Sequence, residues 1–226
     1  MTKGHKRLLI AAGFIALFMI EASVIAVKKS NTWDEPAHIL SGYAHITEGM
    51  DYISPLNHPA FGRMLTGVLP ALFLNLDFDN KVMPEQAKDS GFFPYSVKFL
   101  YGNNVKGGLI LFLSRLPNIL LGALLGIYIF LWSEELWGLR GGYLSLFLYS
   151  LSPTILSNAS LATTDMPIAA FFFISSYYLF RLAKDGPTPK GIAIAAVLTA
   201  LAFASKHTAF LLLSVVAIAM AEGFRK

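Results

Sequence analysis

"GIAIAAVLTALAFASKHTAFLLLSVVAIAMA", residues 191–221, is apolar apart from a few small hydroxyls and two adjacent bases near its middle, Lys206 and His207. One long tilted helix would carry a charge into hydrocarbon, which is expensive wherever it faces lipid. A hairpin of two short helices would instead set both bases at a membrane surface. Charge asymmetry chooses between the two. Lys3, Lys6 and Arg7 precede the first apolar run, and such basic ends stay in the cytoplasm. Counting spans alternately from there makes Arg140 and the trio Arg181, Lys184 and Lys190 cytoplasmic as well. The outer segment from Asn158 to Asp165 then carries no Lys or Arg. A hairpin returns the basic end "GFRK" to the cytoplasm, whereas a single span would put it outside. We therefore expect the hairpin.

The rest of the chain agrees with a membrane reading. Of its 226 residues 55% are hydrophobic and only 14% charged, a combination rare in a soluble domain. Several runs approach or exceed the roughly 18–20 residues that cross hydrocarbon. The expected fold is all-α, a polytopic transmembrane bundle of about six spans near 8–27, 109–133, 141–156, 166–183, 191–204 and 208–221. Residues 28–108 would form a long first extracytoplasmic loop. It carries two short amphipathic pieces, "PAHILSGYAHITEGM" (36–50) and "HPAFGRMLTGVLPALFLNL" (58–76), which suit a membrane surface. From Asp77 to Lys106 scattered Pro, Gly, Asn and Lys read as loop. The basic start and apolar run resemble a signal peptide. The run continues to Val27 without a small-x-small cleavage site, however, so it reads as a retained anchor. The net charge of +4 is supplied by Lys and Arg at span ends and implies no nucleic-acid partner. There is no cysteine, which excludes thiolate metal sites.

With this topology Asp34, Glu35, His58, Arg63, Arg115, Asp165, Lys206 and His207 all lie on the extracytoplasmic side near span ends. Acids and bases from distant parts of the chain meet at one membrane face, as a site for a lipid-linked, phosphate-containing substrate requires. In "NTWDEPAHI" (31–39) the simpler reading is a capping box, with Thr32 capping a helix and Glu35 reaching back to its amide. That leaves Asp34 without a structural task, and a carboxylate at an apolar boundary suits a general base. Asp34 is the preferred catalytic residue and Glu35 its positioning neighbour. A metal on Glu35, His38 and His45 is disfavoured: His38 and His45 lie about 10 Å apart along a helix, too far to share one ion. Asp34 with His38 would give two ligands and no evident third.

Other stretches carry cations. In "NHPAFGRML" (57–65), Arg63 and His58 either face a substrate phosphate, which suits guanidinium geometry, or snorkel to lipid headgroups. Arg115 in "SRLPNIL" (114–120) needs an anionic partner or a wet cavity, with a headgroup anchor as the simpler alternative, and Pro117 suits a helix start. In "LATTDMPIAAFFF" (161–173), Thr164 or Asp165 caps a helix, and the dipole alone would favour Asp165. Lys206 and His207 have few structural reasons to sit together in a turn, where Gly, Asn or Ser would serve. They read as phosphate or substrate contacts.

Four stretches together, "TWDEPAHILSGYAHITEGMDY", "NHPAFGRML", "SRLPNILLGALLG" and "LATTDMP" followed by "LAFASKHTAF", resemble the N-terminal half of polyprenyl-phosphate-dependent glycosyltransferases of the GT-C fold. More narrowly, they resemble the protein O-mannosyltransferase and aminoarabinose-transferase relatives. The resemblance implies inverting transfer of a sugar from a polyprenyl-phosphate donor to an acceptor on the extracytoplasmic face. No cofactor is expected and no residue set is assigned to a metal. It places Asp34 at the acceptor with Glu35 beside it and puts the second acidic position on Asp165. It makes Arg63, where relatives often have Lys, a donor-phosphate contact, and Ser205-Lys206 the counterpart of a Thr-Lys pair. Members usually continue through further spans, so a partner subunit or a C-terminal region completing substrate binding is expected. The alternative function is a non-catalytic or truncated membrane subunit that binds lipid-linked sugar. A transporter would gather its polar residues near the bilayer midplane, unlike this chain. The implied location is the inner membrane in a bacterium or the endoplasmic reticulum in a eukaryote.

Overall fold

Phe18, Ala22 and Ala26 recur every four residues along the first apolar run, and all three are buried. They form the inner stripe of α1 (Lys3–Lys28). In the computed structural model, which describes residues 3–49, 58–78 and 92–224, that stripe packs on a long helix, α5 (Gly107–Ser150). The contact is made close by a small-residue pair. A side chain at Gly122 would meet the Phe18 ring, and one at Gly126 would meet Ile15 and Tyr149. Small residues four apart let apolar helices approach without voids. Tyr149 Oη closes the bundle by donating to the Gly122 carbonyl at 2.6 Å.

The fold is all-helical among the described residues. Between α1 and α5 lie α2 (Glu35–Glu48), α3 (Ala60–Phe73) and α4 (Phe92–Tyr101). After α5 come α6 (Pro153–Ala159), α7 (Asp165–Asp185), α8 (Pro189–Ser205), a 3-10 turn (His207–Leu211) and α9 (Leu212–Phe224). Three helices, α1, α5 and α7, are long and apolar enough to cross a membrane.

Several local readings change. The segment read as loop from Asp77 to Lys106 contains α4, whose Pro94 is tolerated in a first turn and whose Ser96, Phe99 and Leu100 are buried; residues 79–91 lie outside the described set. Pro117 sits inside α5 rather than at its start, because helix already runs from Gly107. The apolar stretch 141–156 is not one helix. α5 ends at Ser150, and Pro153 opens α6. α5 itself bends at Gly138, whose φ of 71° is a left-handed conformation that glycine adopts without a Cβ clash. The final run breaks at Lys206, where the backbone is extended (φ −157°, ψ 143°). α8 and α9 both pack on α7, so residues 191–221 form two helices rather than one rod.

Charges collect in two belts. Arg7 pairs with Glu134 at 2.5 Å, Lys184 with Glu135 at 2.7 Å and Arg181 with Asp185 at 2.6 Å. At the other end of the same helices stand Arg115 and Asp165. From Arg115 to Glu134 along α5, and from Asp165 to Lys184 along α7, the rise is roughly 28 Å at about 1.5 Å per residue. That matches a hydrocarbon core of about 30 Å. The helix lengths hold the two belts apart.

α2 and α3 cross at the second belt. A Cβ on Gly42 would overlap the Arg63 carbonyl, and one on Gly67 would overlap the backbone of Gly42 and Tyr43. These obstacles are main chain on both sides, so no side-chain rotation relieves them. Thr66 locks the crossing, its hydroxyl lying 3.0 Å from the His38 carbonyl and 2.7 Å from the Arg63 carbonyl. Gly67→Ala is therefore expected to force the helices apart and cost about 2 kcal/mol, in the range of overpacking. A thermal melt of the detergent-solubilised chain would show this. An unchanged midpoint would mean that the crossing is slack.

Candidate active site

The site is framed by one turn of α5. Arg115, wholly buried, presents all five of its N–H donors to protein acceptors. Nε and Nη2 hold the two carboxylate oxygens of Glu35 at 2.7 and 2.8 Å. Nη1 donates to the carbonyls of Ala26 and Lys29, and Nη2 also to that of Ser30, at 2.6, 2.8 and 3.0 Å. These carbonyls belong to the last turn of α1 and the residues just after it, where helical acceptors lack partners. Arg115 thus caps α1 and clamps the first residue of α2. Three residues on, Asn118 Nδ2 donates to the carbonyls of Leu161 and Thr163 at 2.6 and 2.8 Å. One turn of α5 therefore fixes both loops that bear the candidate acids.

Glu35 is the other half of the clamp. Its Oε1 accepts from the Ala162 amide at 2.7 Å as well as from Arg115. Its Oε2 accepts from the Thr32 amide at 2.8 Å and from the Thr32 hydroxyl at 3.1 Å. Because α2 begins at Glu35 with Asp34 at its N-cap, Thr32 lies before the cap and the expected capping box does not form. Burial alone would raise this carboxyl. The Arg115 hydrogen bonds, the Ala162 and Thr32 amides and the guanidinium charge outweigh it and hold Glu35 below the usual carboxylate range. Glu35 is fully buried and held entirely by protein groups. Neither it nor Arg115 presents a polar atom to a substrate, so the phosphate role read for Arg115 has no free donor to perform it.

Asp34, one residue earlier, is placed differently. It occupies the N-cap position of α2, makes no side-chain capping bond and is exposed. Asp165 opens α7, where the helix dipole favours a carboxylate, and its Oδ1 lies 2.5 Å from Lys206 Nζ. Lys206 stands at the break between α8 and the 3-10 turn, and His207, the first residue of that turn, is exposed. Arg63, in the first turn of α3, is buried and donates through Nη2 to the His58 carbonyl at 2.9 Å. The start of α3 lies tight against this junction: a Cβ on Gly62 would meet the Ser205 carbonyl and the Thr164 side chain.

Two histidines lie among these groups, with ring centroids 5.9 Å apart. Burial pushes His38 down to about 4, with His58 and Arg63 acting in the same direction and Asp34 and Asp165 opposing. His58 is also lowered, first by burial and then by Lys206 and Arg63, with Asp165 opposing and His207 adding to the decrease. His58 is therefore an uncharged ring at neutral pH rather than a cation. Asp34, Arg63 and Asp165 act on His38, and Arg63, Asp165, Lys206 and His207 act on His58 beside it, while Glu35 and Arg115 form the buried frame. Sequence reasoning weighed His38 only as a metal ligand and did not single out Asn118. Among the described residues no group of three or more His, Asp or Glu stands in a metal-holding arrangement.

Residues 107–226 match a family described as dolichyl-phosphate-mannose-protein mannosyltransferase. The chain matches no curated protein and no solved structure. The matched segment starts downstream of α2 and α3, and it contains Arg115, Asn118, Asp165 and Lys206. It covers more than half of the chain, and the bundle around it has helices able to cross a membrane. The chain thus belongs to the dolichyl-phosphate-mannose-protein mannosyltransferase family, membrane glycosyltransferases of the GT-C type.

Proposed function

We propose that the chain transfers a sugar, with inversion, from a polyprenyl phosphate to a hydroxyl acceptor at the extracytoplasmic face, within a bundle of about six spans whose N-terminus is cytoplasmic. One observation carries the reading. Asp34 is an exposed carboxylate without a side-chain capping bond, it follows a rigidly held neighbour, and it shares its end of the bundle with the Asp165–Lys206 pair. Asp34 accepts the proton of the acceptor hydroxyl. The freed oxygen forms a bond to the anomeric carbon from the side opposite the phosphate, and the bond from that carbon to the phosphate oxygen breaks. The electron pair leaves with the lipid phosphate, whose growing charge meets Lys206 and His207 directly and the field of buried Arg63 from beneath. Asp165 orients Lys206 until the phosphate arrives. The cytoplasmic trio Arg181, Lys184 and Lys190 supports the orientation.

The test is product analysis. The full chain is reconstituted in liposomes with polyprenyl-phosphate mannose and a hydroxylated peptide or glycan acceptor. Release of polyprenyl phosphate should match sugar transferred, and NMR of the product should show the anomeric configuration opposite to that of the donor. Retention of configuration, or release of lipid phosphate without transfer, would overturn the mechanism.

A further inference from the structure

Two imidazole nitrogens at the site lack a partner among the described residues. Nδ1 of His38 and Nδ1 of His58 are both shielded from solvent, and neither is hydrogen-bonded to a described residue. His38 is only 9% exposed, and leaving a buried polar atom without a partner is costly. Packing does not explain this choice, because an apolar ring would fill the same space without that cost. Such an orphan calls for a ligand. Its backbone is fixed independently, since the His38 carbonyl accepts from Thr66. The ring is therefore held in place while its nitrogen is left over.

The chemistry of the pair indicates what it would hold. Both rings are uncharged at neutral pH, and an uncharged imidazole offers one donor and one acceptor nitrogen. That pairing suits a hydroxyl group, which both gives and takes a hydrogen bond. It suits a phosphate poorly, since a phosphate wants donors and charge, and Lys206, His207 and Arg63 supply those a short distance away. The same cluster thus offers cations and uncharged polar rings side by side, matching the phosphate and the sugar of one lipid-linked donor.

We propose that His38 and His58 bind the hydroxyl groups of the donor's sugar, and so make the site prefer a glycosylated polyprenyl phosphate over the bare lipid phosphate. The proposal rests on the donor class proposed above. His38 is the buried anchor, and His58 is the half-buried ring beside it.

The test measures binding of polyprenyl-phosphate mannose and of polyprenyl phosphate to the full chain in nanodiscs of fixed lipid composition. The wild-type chain should bind the mannosylated lipid more tightly. His38→Phe keeps the ring volume and removes both nitrogens. It should lose roughly tenfold of that preference, the worth of about one neutral hydrogen bond, with affinity for polyprenyl phosphate unchanged. His38→Asn, which returns a polar atom near the position of Nδ1, should recover part of the preference. His58→Phe, at a less buried position, should show the same loss and serves if His38→Phe folds poorly. An undiminished preference in these variants, or an equal loss for both lipids, overturns the assignment and leaves the donor class standing. A wild-type chain that binds neither lipid overturns the donor class and the assignment together.

Discussion

Arg115→Met is expected to destabilise the chain by about 3–5 kcal/mol, the cost of breaking a buried ion pair from one side. The variant strands Glu35, which is fully buried, and releases the carbonyls of Ala26, Lys29 and Ser30 at the end of α1. Arg115→Lys should rescue little. A lysine has three donors on a single nitrogen and cannot span both Glu35 oxygens and three carbonyls. The pH dependence identifies the cause. In the wild type, Glu35 titrates below its ordinary value of 4.5. Its stabilisation is therefore complete above about 4.5 and is lost as pH falls through the depressed value. Without Arg115, desolvation dominates and pushes the carboxyl upward. The variant is then favoured by acid, which protonates the stranded group. Thermal melts from pH 4 to pH 8 should show the smallest gap between the two proteins at the acidic end and a widening gap toward neutrality. A gap constant with pH would mean that lost packing, not the stranded charge, is responsible.

That hub also shows what a sequence can and cannot reveal here. Long apolar runs announce membrane helices because composition alone fixes their class, and the break at Lys206 was legible because a charge is costly in lipid. Arg115 was legible only as a cation needing an anion. Its partner lies eighty residues earlier, and nothing local to "SRLPNIL" names it, since the pairing exists only once α1, α2 and α5 have packed. Asn118 hides for the same reason. α2 misled in another way. Every residue from Glu35 to Ala44 is buried, so no exposed face produces a hydrophobic period, and "PAHILSGYAH" reads as weakly amphipathic rather than as core. The glycines that allow the α2–α3 crossing were visible, but their opposition, Gly42 against Gly67, was not. Within the candidate site, His38 was masked by its residue type: a histidine beside acids suggests a metal, whereas an unpartnered nitrogen can be seen only in three dimensions.

Asp34→Asn should lower kcat for sugar transfer by about 10²–10⁴, the usual worth of a positioned general base, while the fold and donor binding stay as they are. The side chain is exposed and makes no capping bond, and Asp and Asn are equally good at an N-cap, so the melting midpoint should not move. The neighbouring position must behave in the opposite way. Glu35→Gln removes the charge that faces the Arg115 guanidinium and leaves one of its oxygens replaced by an NH₂ facing the donors of Arg115, Ala162 or Thr32. It should fail through stability, with activity falling in step with the folded fraction. Two adjacent carboxylates thus separate into one that acts and one that holds. The separation is measurable as kcat per folded molecule, which should collapse for Asp34→Asn and survive for whatever Glu35→Gln remains folded. Near-wild-type turnover in Asp34→Asn would remove Asp34 as the base. A midpoint that falls together with its turnover would make Asp34 part of the frame, leaving Asp165 as the remaining carboxylate of the cluster, among the described residues, to accept the proton.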